Sequence, residues 1–452
     1  MPATTRVPRL FRSFVSDRSG NFALATAAVM TALLAGGGFA INLAQVTLTQ
    51  SNLTNALDAA VTSTARDLTT GKITPEEARE LISAFLKTNG STGFARANRV
   101  VLDNVTVDKN ARTVTALASA DIDLAFPVFK TSASRLIQVG STALYSDRKI
   151  EVAMMLDVTG SMSGQKIRDL RTAASNVVDT FLSGQNPADP RVRVAIVPYA
   201  DAVNTGDLAH TVHVETGFTT GEPPPLTNLL LAAIGRGAGA LLPGGSSRPD
   251  ACATERKGSH QFSDASPRMA MINRDVRLAF CPQAALAPLT ADIGRLKSAI
   301  RDFRASGHTA GHIGIQWSWY LLSRKWADIL PAGSQPLAGD PKKVGKFAIL
   351  MTDGEFNTAF AGVAQGGSTK GGQPRRSRDA AERLCDEMKR DGIEIFTVGF
   401  MLKEKAAKDV MRGCASPDRG SVVHYFEAVD GDELNAAFQK IAANIERLAI
   451  VK

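Results

Sequence analysis

The chain of 452 residues is too long for one ordinary core and implies two or three folded units. Hydrophobic residues make up 44% and charged residues 21%, globular proportions that exclude wholesale disorder. The formal charge of +8 is small for this length, and no basic stripe interleaved with aromatics runs through the chain, which argues against nucleic acid as a partner.

Part of the positive charge sits at the start, where Arg6, Arg9, Arg12 and Arg18 face a single acid, Asp17. From Phe22 to Ile41 follows FALATAAVMTALLAGGGFAI, about twenty residues without a charge. At about 1.5 Å of rise per residue, such a helix matches the hydrocarbon core of a bilayer. The positive-inside rule then makes residues 1–20 cytoplasmic, residues 21–41 the span, and everything after about residue 42 exported. A cleaved signal peptide is the rival, since Gly38 and Ala40 form a small-x-small site. Against it, Leu43, Val46, Leu53, Leu57 and Val61 continue a helical spacing among polar residues, as in one long helix that leaves the membrane and becomes amphipathic.

Thr74-Pro75-Glu76-Glu77 reads as a helix start, with Thr74 as N-cap and Glu77 as the capping-box acid, and the helix runs to about Lys87. VVLDNVTV (100–107), TVTALASA (113–120) and DIDLAF (121–126) alternate in polarity and predict a small antiparallel sheet with one wet face. Residues 42–148 therefore read as a helix laid against a meander, pilin-like in character, without chemistry of their own.

From residue 149 the pattern changes. EVAMMLDV, VRVAIVPYA, KFAILMTDG and IEIFTVGF are short apolar runs, most of them separated by helical stretches. The expected helices lie at about 165–182, 291–304, 312–323, 378–391, 404–412 and 431–448. Strands apolar on both faces and alternating with helices predict an α/β domain, 149–452, with a doubly wound, mostly parallel sheet. A Gly/Pro-rich insertion at about 205–288, including GEPPP, PGGSSRPD and the apolar TNLLLAAIGRGAGALLPG, is too long for a bare loop. The four cysteines, Cys252, Cys281, Cys385 and Cys414, form no CxxC and so argue against a zinc ribbon. Of the three possible pairings, Cys252 with Cys281 and Cys385 with Cys414 are favoured because each would staple one local unit, consistent with export. Four free thiols are the alternative.

The chemistry concentrates at two strand ends. The run ending at Leu156 enters Asp157-Val158-Thr159-Gly160-Ser161-Met162-Ser163, which places oxygen-bearing side chains at every second position. KFAILMTDGE ends likewise at Asp353, and SGHTAGH carries Thr309 on a loop between two helices. The C-terminal edge of an open parallel sheet is where ligands sit. Carboxylate and hydroxyl oxygens around one point suit Mg²⁺, or Mn²⁺ or Ca²⁺, better than zinc or copper. GSMSGQK lacks the G-x-x-x-x-G-K-[ST] spacing, so a nucleotide is not expected. Ser161 or Ser163 as a hydrolase nucleophile would need a histidine base, for which His308 and His312 are the sole candidates; both read as structural, and no enzyme is expected. His210, His213, His260 and His424 suggest no chemistry, and Trp317, Trp319 and Trp326 read as core.

Asp157-x-Thr159-x-Ser161, then Thr309, then Asp353 in TDG resembles the metal-ion-dependent adhesion site of von Willebrand factor A domains. The resemblance implies that Thr159 and Ser161 ligate the ion directly or nearly so. Asp157 and Asp353 would hold it partly through water, Thr309 would alternate between direct and indirect contact, and a partner's carboxylate would complete the shell. The opening DRSGNFALATAAVMTALLAGGGFAIN, together with HIGIQWSWYLLS, LCDEMKRDGIEIFTVGF and HYFEAVDGDELNAAFQKIAANIERLAI, is similar to TadG-like proteins of the Flp/Tad pilus-assembly system. That likeness implies a bacterial inner-membrane, single-pass protein with its bulk in the periplasm and pilus-assembly or envelope proteins as partners. Pilin-like members cut after glycine carry glutamate five residues on, whereas five residues after Gly20 stands Ala25, so an uncut accessory factor is expected. The alternative is a structural pilin-like protein whose metal site only stabilises the fold.

Overall fold

The computed structural model describes residues 20–89, 95–126, 134–186, 188–216, 250–340, 343–363 and 370–451. The basic N-terminal arginines and the GEPPP and TNLLLAAIGRGAGALLPG stretches of the insertion lie outside these. The chain divides into two compact units, residues 1–65 with 74–145, and residues 66–73 with 146–452.

The first unit opens with helix α1 (Gly20–Thr70). Its first half is apolar all round and open to the surroundings, with Phe22 79% and Leu34 70% exposed. Farther along, Leu53, Leu57, Ala60 and Val61 are buried, so the helix changes from uniformly apolar to amphipathic. Among the described residues α1 is the one helix long and apolar enough to cross a membrane, a test that an N-terminal signal sequence also passes. Helix α2 (Ala78–Asn89) buries Ala78, Ile82 and Leu86 along one face. The Glu77 carboxylate accepts from the Thr74 backbone N–H at 2.7 Å, the reciprocal arm of a capping box.

Strands β1 (Ala95–Asp108), β2 (Thr113–Asp123) and β3 (Ser134–Leu144) form an antiparallel meander. Val114, Ala116, Ala118, Ala120 and Ile122 of β2 are buried on one face. The sequence reading placed a separate strand at 121–126; instead β2 runs on through Asp123, and the third strand is Ser134–Leu144. Backbone pairing from Thr113↔Leu144 to Asp123↔Ser134 holds a segment whose Gly140 and scattered polar residues blur the alternation.

In the second unit the doubly wound α/β architecture is present. It runs β4 (Lys149–Asp157), α3 (Gln165–Leu182), β5 (Val192–Tyr199), β6 (Val203–Asn204), α4 (Ala209–Val212), β7 (His213–Thr216), β8 (Cys252–Ala253), β9 (Ile272–Asp275) and β10 (Ala287–Thr290). Then come α5 (Ile293–Arg301), α6 (Gly311–Leu322), β11 (Val344–Thr352), α7 (Gln373–Arg390), β12 (Glu394–Phe400), α8 (Lys405–Cys414), β13 (Tyr425–Ala428) and α9 (Gly431–Val451). Strands β13, β12, β11, β4 and β5 lie side by side and parallel, and β10 and β6 pair antiparallel with β5. Ile150, Val152, Met154 and Leu156 of β4 face one layer with α3, α5 and α9. Ala153 and Met155 face the other layer, with α6, α7 and α8. Every residue of α6 is buried, and its polar side chains His312, Gln316 and Ser318 are hydrogen-bonded. Helix α7 begins at Gln373, earlier than the expected 378, because Gly372 in the left-handed region caps it and Pro374 sits in its first turn, where no N–H is needed.

Cys252 is bonded to Cys281, and Cys385 on α7 to Cys414 on α8, each pair 29 residues apart. The described part of the insertion adds β8 to the sheet edge beyond β6 and forms a two-stranded sheet from β7 and β9.

Glycine at the start of α6 is required by a close approach. A Cβ at Gly311 would stand 2.1 Å from the Phe356 ring, which is buried in the loop after β11. Gly311→Ala is expected to lower unfolding stability by about 1–3 kcal/mol, the usual range for overpacking, read as a lower urea midpoint with unchanged slope.

Candidate metal centre

The sheet order reverses between β4 and β11: from β4 the chain proceeds to β5 on one side, and from β11 to β12 on the other. In such sheets the crevice at the C-terminal ends of the two central strands is the ligand position. Asp157 is the last residue of β4, and Thr352, the last of β11, is followed by Asp353.

Asp157 is fully buried and accepts four hydrogen bonds. Thr159 N–H donates to Oδ1 at 2.9 Å, closing a turn around the aspartate. Oδ2 accepts from the Tyr199 hydroxyl at 2.9 Å, the Thr352 hydroxyl at 2.8 Å and, at 3.4 Å, the Asp353 N–H. Burial, then the neighbouring Asp353 carboxylate, pushes the Asp157 carboxyl up to about 6 despite these donors. Burial, with Asp157 beside it, raises the Tyr199 phenol well above its ordinary value and keeps it a donor.

From Asp157 the chain enters a 3-10 turn, Gly160–Met162, pinned by buried Met162. The turn brings the hydroxyls of Thr159 and Ser161 within 2.9 Å of each other. Ser161 Oγ donates to Asp353 Oδ1 at 2.5 Å. Lys166, in the first turn of α3, donates to Asp353 Oδ2 at 2.7 Å. Asp353 and Thr159 are buried whereas Ser161 is exposed, so the cluster opens to solvent on the serine side.

Four of the five expected ligands are thus in one hydrogen-bonded group. Thr309 is carried to the same strand edge by its backbone. Gly160 N–H donates to Gly307 C=O at 3.0 Å, Ser306 N–H to Val158 C=O at 2.9 Å and Ala310 N–H to Ala200 C=O at 2.9 Å. The Thr309 N–H donates to Asn357 Oδ1 at 3.0 Å, and its C=O accepts from Asn357 N–H at 2.9 Å. Among the described residues its hydroxyl makes no hydrogen bond to the other four.

The donor set fits a hard cation. It is all oxygen, two carboxylates and two hydroxyls closely grouped, with a third hydroxyl on the adjoining loop. Among the described residues the one cation bonded to either carboxylate is the Lys166 ammonium, on Asp353. A cysteine-containing group, Asp250 with Cys252 and Cys281, is not a comparable site because both sulfurs are in a disulfide.

Several contributors escape the sequence reading: Tyr199, Thr352, Lys166, Asp201 and Asn357. Tyr199 and Thr352 close apolar strands, a polar strand end being the signal that could have flagged them. Asp201 accepts the His308 N–H and braces the Thr309 loop. The histidines have structural surroundings. His308 Nδ1 lies 3.3 Å from Asp201 Oδ2. His312 stands between Glu255 Oε2 and Ser377 Oγ, 2.9 Å from each, with all three residues buried. His424 is buried and bonded to Glu394 Oε1 at 3.0 Å.

No protein-family model matches the sequence, and no curated protein matches it. Solved structures do. The pilus adhesin SpaC from Lactobacillus rhamnosus GG, in its open conformation, is 11% identical at a TM-score of 0.38, over 77% of this chain and 34% of that chain. The vWF domain of the type V pili tip protein Mfa5 from Porphyromonas gingivalis is 14% identical at a TM-score of 0.38, over 68% of this chain and 97% of that one. Proximal thread matrix protein 1 from the mussel byssus, with a zinc-occupied MIDAS motif, is 12% identical at a TM-score of 0.31, over 67% of this chain and 46% of that one. The chain therefore spans about a third of the SpaC chain and about half of the byssus protein.

The raised Asp157 carboxyl sets the sign of a pH effect. Its folded value of about 6 lies above the ordinary 3.8, so folding favours the protonated form. Its stabilising contribution is full below about 4 and is lost as pH rises through 6. In chelator, lowering pH from 7 to 5 should raise wild-type stability relative to Asp157→Asn by about 1 kcal/mol, measured by urea unfolding of both at each pH. An unchanged difference would mean that Asp157 is ionised at both pH values.

Proposed function

We propose that this chain is a single-pass protein of a bacterial inner membrane, a TadG-like accessory factor of Flp/Tad pilus assembly. Its exported A-type domain holds Mg²⁺, or Mn²⁺ or Ca²⁺ in its place, and binds a pilus-assembly or envelope protein there. The observation that carries the reading is the 2.5 Å hydrogen bond from Ser161 to Asp353, which joins the D-x-T-x-S turn to the TDG turn at the sheet's switch point. Two disulfides suit an oxidising compartment, and the apolar first half of α1 suits an anchor.

Asp157, Thr159, Ser161, Thr309 and Asp353 are the residues assigned to the ion. A divalent ion held there would supply a centre for a partner's carboxylate oxygen. The chain's own residues hold the set in place: Tyr199 and Thr352 fix the Asp157 carboxylate, Asn357 and Asp201 fix the Thr309 loop, and Lys166 offsets charge on Asp353. Exposed Ser161 marks the side from which a partner approaches. Neither Ser161 nor Ser163 has a histidine among its hydrogen-bond partners in the described residues, which favours binding over hydrolysis. A second reading, in which the ion only locks the fold, draws support from the complete burial of Asp157.

The test is thermal unfolding of the full chain in detergent, with Mg²⁺ or with chelator, beside Asp157→Asn and Asp353→Asn. At a hundred times its dissociation constant the ion should add about 2.7 kcal/mol to the wild type and nothing to the variants. A wild type indifferent to Mg²⁺, Mn²⁺ and Ca²⁺ would sink the metal assignment. Metal-dependent stability without metal-dependent capture of envelope proteins would favour the fold-locking reading.

A further inference from the structure

The corner that ends β2 lies against α1 where its apolar stretch stops. Asn42 Oδ1 accepts the Phe126 N–H at 3.1 Å, and Asn42 Nδ2 donates to the Phe126 C=O at 2.5 Å. Gln45 Oε1 accepts the Ala125 N–H at 3.1 Å. One turn back, a Cβ at Gly38 would stand 3.2 Å from Phe126 Cβ, so the glycine leaves room for the phenylalanine to lie on the helix. Gly38 belongs to the charge-free run Phe22 to Ile41, about 4.5 Å before its end at the helical rise. The Phe126 side chain therefore sits level with the last turn of the apolar segment, not beyond it.

We propose that the Ala125–Phe126 corner enters the outer interface of the bilayer, giving the first unit a second membrane contact besides the helix. The inference rests on the reading of α1 as a membrane anchor. Three features suit the corner to lipid. Phe126 keeps 43% of its surface exposed although it is held on α1, and Phe39 and Ile41 in the same turn of the helix as Gly38 are 61% and 46% exposed. The Phe126 ring has no polar group and suits the depth at which the acyl chains end. Three peptide groups of the corner, the Ala125 N–H and the Phe126 N–H and C=O, are bonded to Gln45 and Asn42, which lowers the cost of taking them away from water. Asn42 and Gln45 thereby gain a definite role, as the polar pair that ties the corner to the end of the span.

The experiment uses the full chain in nanodiscs, with single tryptophans added at Phe126, Leu34 or Leu144. The native tryptophans, Trp317, Trp319 and Trp326, are buried in the second unit and provide a constant background. Leu34 lies inside the apolar run. Leu144 is at the opposite end of β3, about 33 Å from the corner at the rise of a strand. Lipids brominated on the upper acyl chain should remove about half or more of the added emission for Phe126→Trp and Leu34→Trp, and leave Leu144→Trp unchanged. Quenching at Leu34→Trp without quenching at Phe126→Trp would overturn the corner contact and leave the anchor standing. Absence of quenching at Leu34→Trp would overturn the anchor and the contact with it. Equal quenching at all three positions would also overturn the contact, because it would reflect general adhesion to lipid.

Discussion

One buried carboxylate organises the strand-end cluster of the second unit. Asp157 collects donors from three adjacent strand ends: the Tyr199 hydroxyl from β5, the Thr352 hydroxyl from β11 and the Thr159 N–H from its own turn. A side chain without solvent exposure and with four protein donors has one orientation available, so the turn leaving β4 has one available course. That course sets Ser161 against Asp353 and places Lys166 in the first turn of α3 over the same carboxylate. The sheet supplies the position of the cluster, and the hydrogen bonds of Asp157 supply its orientation.

The same carboxylate is costly to bury, and its surroundings limit the cost without cancelling it. Neutral donors surround it, the charge-bearing lysine sits on the neighbouring aspartate, and its carboxyl is pushed up to about 6. Among the described residues the two close acids have one bonded ammonium, Lys166 on Asp353.

The parts of the fold set by local pattern could be read from the sequence, and those set by distant contacts could not. Apolar runs such as VRVAIVPY and KFAILMT announce buried parallel strands, and the expected helix at 165–182 coincides with Gln165–Leu182. Asp157, Thr159, Ser161 and Asp353 stood out because oxygen-bearing residues at strand ends are unusual in so apolar a context. Strand β3 was missed because its pairing with β2, not its own alternation, makes it a strand. The start of α7 was missed because Pro374 reads as a break although it is harmless in a first turn. Tyr199 and Asn357 were missed because their roles depend on partners in other loops, Asp157 42 residues away and Thr309 48 residues away.

The insertion illustrates how such long-range contacts bear on the site. Glu255 accepts the backbone N–H groups of Phe360 and Ala361, in the loop that follows β11, and its second oxygen meets His312 on α6. His312 in turn reaches Ser377 on α7. Phe280, next to the disulfide-bonded Cys281, packs edge-on against His308, with ring centroids 5.7 Å apart. Thr309 therefore lies between two anchor points of the same inserted segment, His308 before it and His312 after it. A loop appended only for solubility would have no reason to hold both flanks of one residue. The described part of the insertion thus meets both histidines near Thr309, beside the backbone bonds that tie the threonine loop to Val158, Gly160 and Ala200.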